Sequence, residues 1–156
     1  MISKIIFKKI KFANINNQEF ERFIIKKGLF VFPSGPALAI VEKSSQYYKS
    51  LQKADFVFFD SGFFVLLLKI FKNINVQKFS GFKFLDMFFD YLKKNKSKRI
   101  FSIDPNTNFS TSNYKYIKNL GIKNLYNYCA PKYDIKNLSD SKLLENIKRF
   151  KPDYII

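Results

Sequence analysis

The sequence predicts an α/β chain: a Rossmann-like, mostly parallel sheet with helices on both faces, forming one domain over residues 1–156 that is incomplete at its C-terminus. Three observations predict it. Short β-type runs alternate with helical stretches from end to end, the pattern of βαβ units. The runs LFVF and DFVFF are apolar throughout instead of alternating, as expected of strands covered on both faces. The last run, PDYII, stops inside a strand signal, whereas an open α/β sheet places its ligand crevice just beyond such a strand end. A natural domain is not expected to finish there, so the fold is expected to be partial.

The elements follow in order. Residues 5–7 and 10–12 open the chain as a strand or hairpin. Residues 17–27 read as a helix with Phe20, Phe23 and Ile24 on one face, and Gly28 stops it. Residues 29–32 read as a buried strand, broken by PSGP, and a helix is expected over 37–53. Residues 56–59 form the next strand, ending at Asp60, and 62–71 a very apolar helix. Residues 76–79 are extended, Ser80-Gly81 turns the chain, and 82–94 is an amphipathic helix. A strand over 99–103 ends at Asp104-Pro105, and a helix over 112–120 is closed by Gly121. After a strand at 125–128, Ser139 is expected to cap a helix ending near Phe150, and Pro152-Asp153 leads into the last run. There is no internal repeat and no low-complexity linker.

Composition bounds the chemistry. A hydrophobic share of 47% supports a sizeable core and argues against disorder despite a net charge of +16. That charge suits a polyanion, an anionic membrane or a phosphorylated substrate. The plainer reading, which we weight ahead, is that Lys, Asn, Ile and Phe are all products of AT-rich codons. The densest cluster, Lys93, Lys94, Lys96, Lys98 and Arg99, falls where a helix ends and where cations favour its dipole. The single cysteine, Cys129, forms no disulfide within the chain and suits a reducing cytoplasm. Histidine is absent, which removes His-dependent triads and His-based metal sites; a general base must be a carboxylate, a Lys or a Tyr. The opening MISKIIFKKIKF has charges too closely spaced for a signal peptide. The longest apolar run, 63–68, continues past Lys69 to Phe71, short of the ~20 residues a membrane span needs.

Few residues carry a chemical signal. Asp60 closes the FVFF run just before Ser61-Gly62, a place for a general base at a strand end. On spacing alone it reads first as a cap for the next helix. Asp104-Pro105-Asn106 sits at another strand end, where an ordinary Asx turn is the preferred reading. The glycine-rich nucleotide motifs are missing. Asp86 and Asp90 read as a solvated helix face beside lysines, and Cys129 as a small core residue.

Four segments in order resemble the WecG/TagA/CpsF family, glycosyltransferase family 26. They are LFVFPSGPALAIVEKSSQYYKSLQKADFVFFDSG, VQKFSG, KRIFSIDPN and KPDYII, spread over nearly the whole chain. The resemblance implies a metal-independent, inverting transfer that needs no cofactor. A sugar such as N-acetylmannosamine moves from UDP to a lipid-diphosphate-linked acceptor at the inner face of the plasma membrane. Asp60 falls on the proposed base, Lys78 where the family usually carries an arginine, and Ser34 where it carries a substrate-contacting asparagine. Ser80 and Gly81 fall on the basic-x-Ser/Thr-Gly turn, and Asp104 and Asn106 on the sugar- or phosphate-binding loop. Phe32 replaces a threonine of the pattern, Lys83 an acid, and DPN a Gly-Gly loop. The family's Gln-Glu motif and C-terminal appendage would lie beyond Ile156, so the polypeptide alone is expected to be inactive or very weak. Two other readings stand beside this one: a non-catalytic degenerate member, and a basic polyanion-binding module. No RNP, KH or zinc-finger pattern points to a specific nucleic acid. A homo-oligomer stays open.

Overall fold

The first two strands build the edge on which the rest is laid. In the computed structural model, which describes residues 3–43, 45–134 and 139–156, β1 (Ser3–Phe7) and β2 (Ile10–Asn14) pair antiparallel. The turn residues Lys8 and Lys9 both take positive φ, 47° and 57°, matching the twist that a two-residue hairpin turn requires. Lysine is an unusual residue there. Tertiary contacts hold it: the Tyr48 hydroxyl donates to the Lys8 carbonyl at 2.9 Å, and the Lys8 ammonium pairs with Glu42 at 2.8 Å.

The chain divides into two compact units, Met1–Met87 and Phe88–Ile156. In the first, β2 pairs in parallel with β4 (Phe56–Val57), and β4 with β3 (Phe30–Val31), giving the order β1-β2-β4-β3. The regular ladder is shorter than the apolar runs. Backbone bonds extend it, however, from Phe58 N to Val31 O at 2.9 Å and from Phe79 N to Phe59 O at 2.9 Å. The second bond ties the extended run at 76–79 to the end of β4. β3 is only half-buried, not buried as the sequence suggested, because it is the outer strand of this sheet.

The DFVFF run is continuous because both faces are covered. Successive side chains point to opposite faces. Phe59 stacks on Phe12 at 4.0 Å between ring centroids, and Phe58 stacks on Phe32 at 4.8 Å. On the Phe59 side lie Leu38 of α2 (Gly35–Ala39), Leu51 of α3 (Ser45–Lys53) and Leu68 of α4 (Gly62–Lys72). On the Phe58 side lie Phe23 of α1 (Phe20–Ile24) and Phe84 of α5 (Gly81–Lys94). This is the Rossmann-like α/β layering that the apolar runs imply.

Two helices differ from their sequence expectation. The one read over 17–27 is a 3-10 turn, Asn17–Glu19, followed by the short α1. Asn16 and Glu19 start it with a reciprocal box: Glu19 N donates to Asn16 Oδ1 at 3.1 Å, and Asn16 N to Glu19 Oε2 at 3.0 Å. The helix read over 37–53 is α2, a 3-10 turn Val41–Lys43, and α3, with residue 44 outside the described residues. The break falls at the β-branched pair Ile40-Val41, which crowds an α-helical turn.

In the second unit β5 (Ile100–Asp104) lies between β6 (Leu125–Cys129) and β7 (Tyr154–Ile155), all parallel. Phe101 is fully buried and stacks on Tyr126 at 5.1 Å. α6 (Thr107–Asn119) starts earlier than the helix read from 112, because the Asn106 side chain accepts from Phe109 N at 3.0 Å and caps it. α7 (Ser141–Phe150) is capped by Asp140, whose carboxylate accepts from Leu143 N at 2.9 Å, one residue after the expected Ser139. Cys129 is exposed, not the core residue expected, since it ends an outer strand.

Candidate active site

Three loops of the first unit share one pattern: Ser-Gly at the entrance to a helix. Ser34 Oγ accepts from Ala37 N at 3.4 Å, Ser61 Oγ from Phe64 N at 3.2 Å, and Ser80 Oγ from Lys83 N at 3.2 Å. The first two loops follow β3 and β4; the third follows the strand-like run tied to Phe59.

The glycines let these loops touch. A Cβ on Gly35 would meet Ser61 Oγ at 2.7 Å, closer than real side chains approach. A Cβ on Gly81 would lie 3.3 Å from Cβ and Cγ of Phe32. A Cβ on Gly62 would lie 3.5 Å from Lys78 Cδ and 3.9 Å from its Nζ. The first loop therefore packs on the second, the third on the first, and Lys78 arches over the second.

Asp60 closes the ring. Ser61 caps α4, so the carboxylate of Asp60 is not used as the cap that its sequence position suggested. It instead accepts from Gly81 N through Oδ1 at 3.1 Å. Among the described residues no donor reaches Oδ2, and the side chain is half-buried. One oxygen is thus fixed by a backbone amide, and the other is not.

Lys78 is exposed and takes part in none of the three ion pairs found among the described residues. With Lys83, Gln18 and Gln77 it lines an open cavity of about 620 Å³. Residues 61–85 carry Lys69, Lys72, Lys78 and Lys83 and no acidic residue, so this stretch of the chain favours an anion, although Asp60 itself is not among the residues that line the cavity. The amides at the starts of α4 and α5 add partial positive charge on the same side.

The two remaining sequence candidates lie in the second unit. Asp104 is 1% exposed. Its carboxylate accepts from Ser102 Oγ at 2.9 Å, Asn113 Nδ2 at 2.7 Å and Asn127 Nδ2 at 2.8 Å. It is a hub that fixes the end of β5, with its oxygens turned into the protein. Asn106 is exposed, and its side chain is committed to capping α6. Sequence reasoning missed the Asn113–Asp104–Asn127 network, since nothing local links positions so far apart. It also missed that the three Ser-Gly pairs converge, although their repetition was visible in the sequence.

A Rossmann-like sheet with a carboxylate, a cation and helix starts at its strand ends is an arrangement compatible with group transfer. Residues 4–156 match the glycosyl transferase WecG/TagA/CpsF family. The chain belongs to that family, whose glycosyltransferases serve cell-surface polysaccharide biosynthesis. Neither the curated proteins nor the solved structures contain a match. Among the described residues no helix is long and apolar enough to cross a membrane.

Proposed function

We propose that the chain takes part in the transfer of a sugar of the N-acetylmannosamine type from UDP to a lipid-diphosphate-linked sugar acceptor, with inversion and without a metal. The observation that carries this reading is the Asp60 carboxylate, held through Oδ1 by the Gly81 amide and open at Oδ2. Oδ2 takes the proton of the acceptor hydroxyl as that oxygen forms its bond to the anomeric carbon. The bond from that carbon to the UDP oxygen breaks on the opposite side, which inverts the centre. Lys78 and the amides at the starts of α4 and α5 meet the charge that grows on the departing diphosphate. A lysine supplies that charge without the two-pronged fork of an arginine.

Ser34 and Ser80 act through the loops they cap, presenting backbone amides to the donor. Asp104 and Asn106 shape a strand-end loop in the second unit, and its backbone is the surface offered to a sugar or phosphate. The enzyme works at the inner face of the plasma membrane, where its acceptor is anchored.

The test is UDP binding followed by donor turnover. UDP should raise the melting temperature of the chain, and Lys78→Ala should weaken that effect. Asp60→Asn should keep UDP binding while slowing UDP release from the sugar donor by roughly 10²–10⁴-fold, the usual contribution of a general base. Release is measured on the chain or on a longer polypeptide that carries it. Unchanged release in Asp60→Asn would remove the proposed base.

A further inference from the structure

The helix that opens beside Asp60 carries an uncovered apolar face. α4 buries Leu68 and packs Phe64 and Val65 against the core, yet Phe63, Leu66, Ile70 and Phe71 are 50–74% exposed. Phe63, Leu66 and Ile70 follow a three-then-four spacing and share one helix face. Phe82, the first residue after the Gly81 amide that holds Asp60, is 85% exposed. Exposed aromatic rings thus follow closely on both Asp60 and the Gly81 amide that holds it.

The charge around this face has one sign. Lys69 and Lys72 lie in the last turn of α4. The nearest acids along the chain are Asp60 itself and Asp86, since 61–85 contain none. At 3.6 residues per turn Lys69 flanks this face beside Leu66, while Lys72 ends the helix; an apolar face with a cation at its edge matches a helix lying in the plane of a membrane interface, its apolar side in the acyl boundary and its cations at anionic headgroups. The 11 residues of α4 span about 16 Å at 1.5 Å per residue, half of what crossing a bilayer requires. A second copy of the chain is a poorer occupant. It would bring Lys69 and Lys72 against their own counterparts on a chain of net charge +16, and it would cover the loop that carries Asp60.

We propose that the face formed by Phe63, Leu66, Ile70 and Phe71, with Phe82 beside it, docks this protein on an anionic bilayer, with Lys69 and Lys72 at the headgroups. Docking there sets Asp60 at the membrane surface, where a lipid-linked acceptor presents its sugar. That consequence rests on the transfer reading, whereas the docking itself does not.

The experiment is co-sedimentation with vesicles of phosphatidylcholine alone or mixed with phosphatidylglycerol. The chain should bind the mixed vesicles and leave the neutral ones largely in solution. Leu66→Gln with Ile70→Gln should weaken binding at least tenfold without lowering the melting temperature, because both side chains already face solvent. Lys69→Glu with Lys72→Glu should weaken it similarly, and added salt should weaken binding of the wild type. Equal binding by the Gln pair and the wild type would mean that overall charge does the work, and would overturn the proposal. So would no binding to either vesicle, or a wild-type dimer that the Gln pair abolishes. Loss of UDP binding with vesicle binding retained would remove the transfer reading and leave the docking surface standing.

Discussion

The carboxylate of Asp60 accepts a hydrogen bond from the backbone amide of Gly81 at 3.1 Å, twenty-one residues further along the chain. The bond ties the end of β4 to the start of α5 and orients the one acid at the junction of three Ser-Gly loops. It also separates two roles that a single substitution would otherwise confuse. Asp60→Asn keeps a carbonyl oxygen to accept from Gly81, so stability should hold while transfer falls. Asp60→Ala loses both, and should cost about 1 kcal/mol of stability in addition, the ordinary net worth of one such bond. Denaturant midpoints for the two variants, set beside UDP release, check the separation. Equal destabilisation by both would show that the bond does not matter to the loop.

Gly35 and Ser61 are coupled through space. The methyl of Gly35→Ala would sit 2.7 Å from Ser61 Oγ, so the serine must abandon its cap of α4 or the loops must part. Losing such a cap costs about 1 kcal/mol, and separating the loops adds to it. Ser61→Gly removes the obstacle and retains a residue tolerated at the cap. The double variant Gly35→Ala/Ser61→Gly should therefore be more stable than Gly35→Ala alone, a positive coupling in a double-mutant cycle read by thermal unfolding. Strict additivity would show that the two loops do not bear on each other.

Asp104 offers a buried counterpart. Its two oxygens accept from Ser102, Asn113 and Asn127, with the acid 1% exposed. Asp104→Asn places an NH₂ group against side chains that already donate, leaving buried donors facing each other. The expected loss is about 2–4 kcal/mol, by the cost of unmade buried hydrogen bonds to a charged group. The urea midpoint measures it. Asn127 adds a refinement: its Nδ2 donates to Asp104 and to the Ser110 carbonyl, while its buried Oδ1 has no partner. Asn127→Ala should accordingly cost less than Asp104→Asn, since one unpaired group leaves with the side chain.

How far the sequence could be read follows from the range of the forces involved. The strand runs and most helices are local patterns of apolar spacing, and LFVF, DFVFF and the helix at 82–94 were legible from them. Helix starts were less so: Asn106 and Asp140 won their capping roles by making bonds to Phe109 and Leu143, where the sequence reading began one helix at 112 and capped the other with Ser139. Asp60 shows the limit most clearly. Its local pattern favoured a cap, and only the fold, which brings Gly81 beside it and gives the cap to Ser61, shows that its carboxylate is not used in that way. Asp104 shows the converse, an acid at a promising strand end whose oxygens are consumed by asparagines from α6 and β6.

The acid and alkaline limits of stability in the second unit should share one residue. The Asp140 carboxylate accepts from the Tyr133 hydroxyl at 2.7 Å, from Tyr128 at 3.0 Å and from Leu143 N at 2.9 Å. The Tyr133 bond, followed by the Leu143 amide, holds the Asp140 carboxyl below the usual carboxylate range. In turn the bond to Asp140 pushes the Tyr133 hydroxyl up to about 12. Burial, then Asp140, raises Tyr128 as well. An acid with a lowered folded pKa contributes stability that is present above its unfolded value, near 3.9, and lost as pH falls through the folded one. A phenol with a raised folded pKa contributes stability that is present below about 10 and lost as pH rises towards its folded value. Melting temperature should therefore fall at both ends, and Asp140→Asn should flatten both limbs. In a tyrosinate absorbance titration the same variant should bring Tyr133 into ionisation nearer pH 10, ahead of its place in the wild type. Identical titrations for the two proteins would show that Asp140 does not hold these hydroxyls in solution.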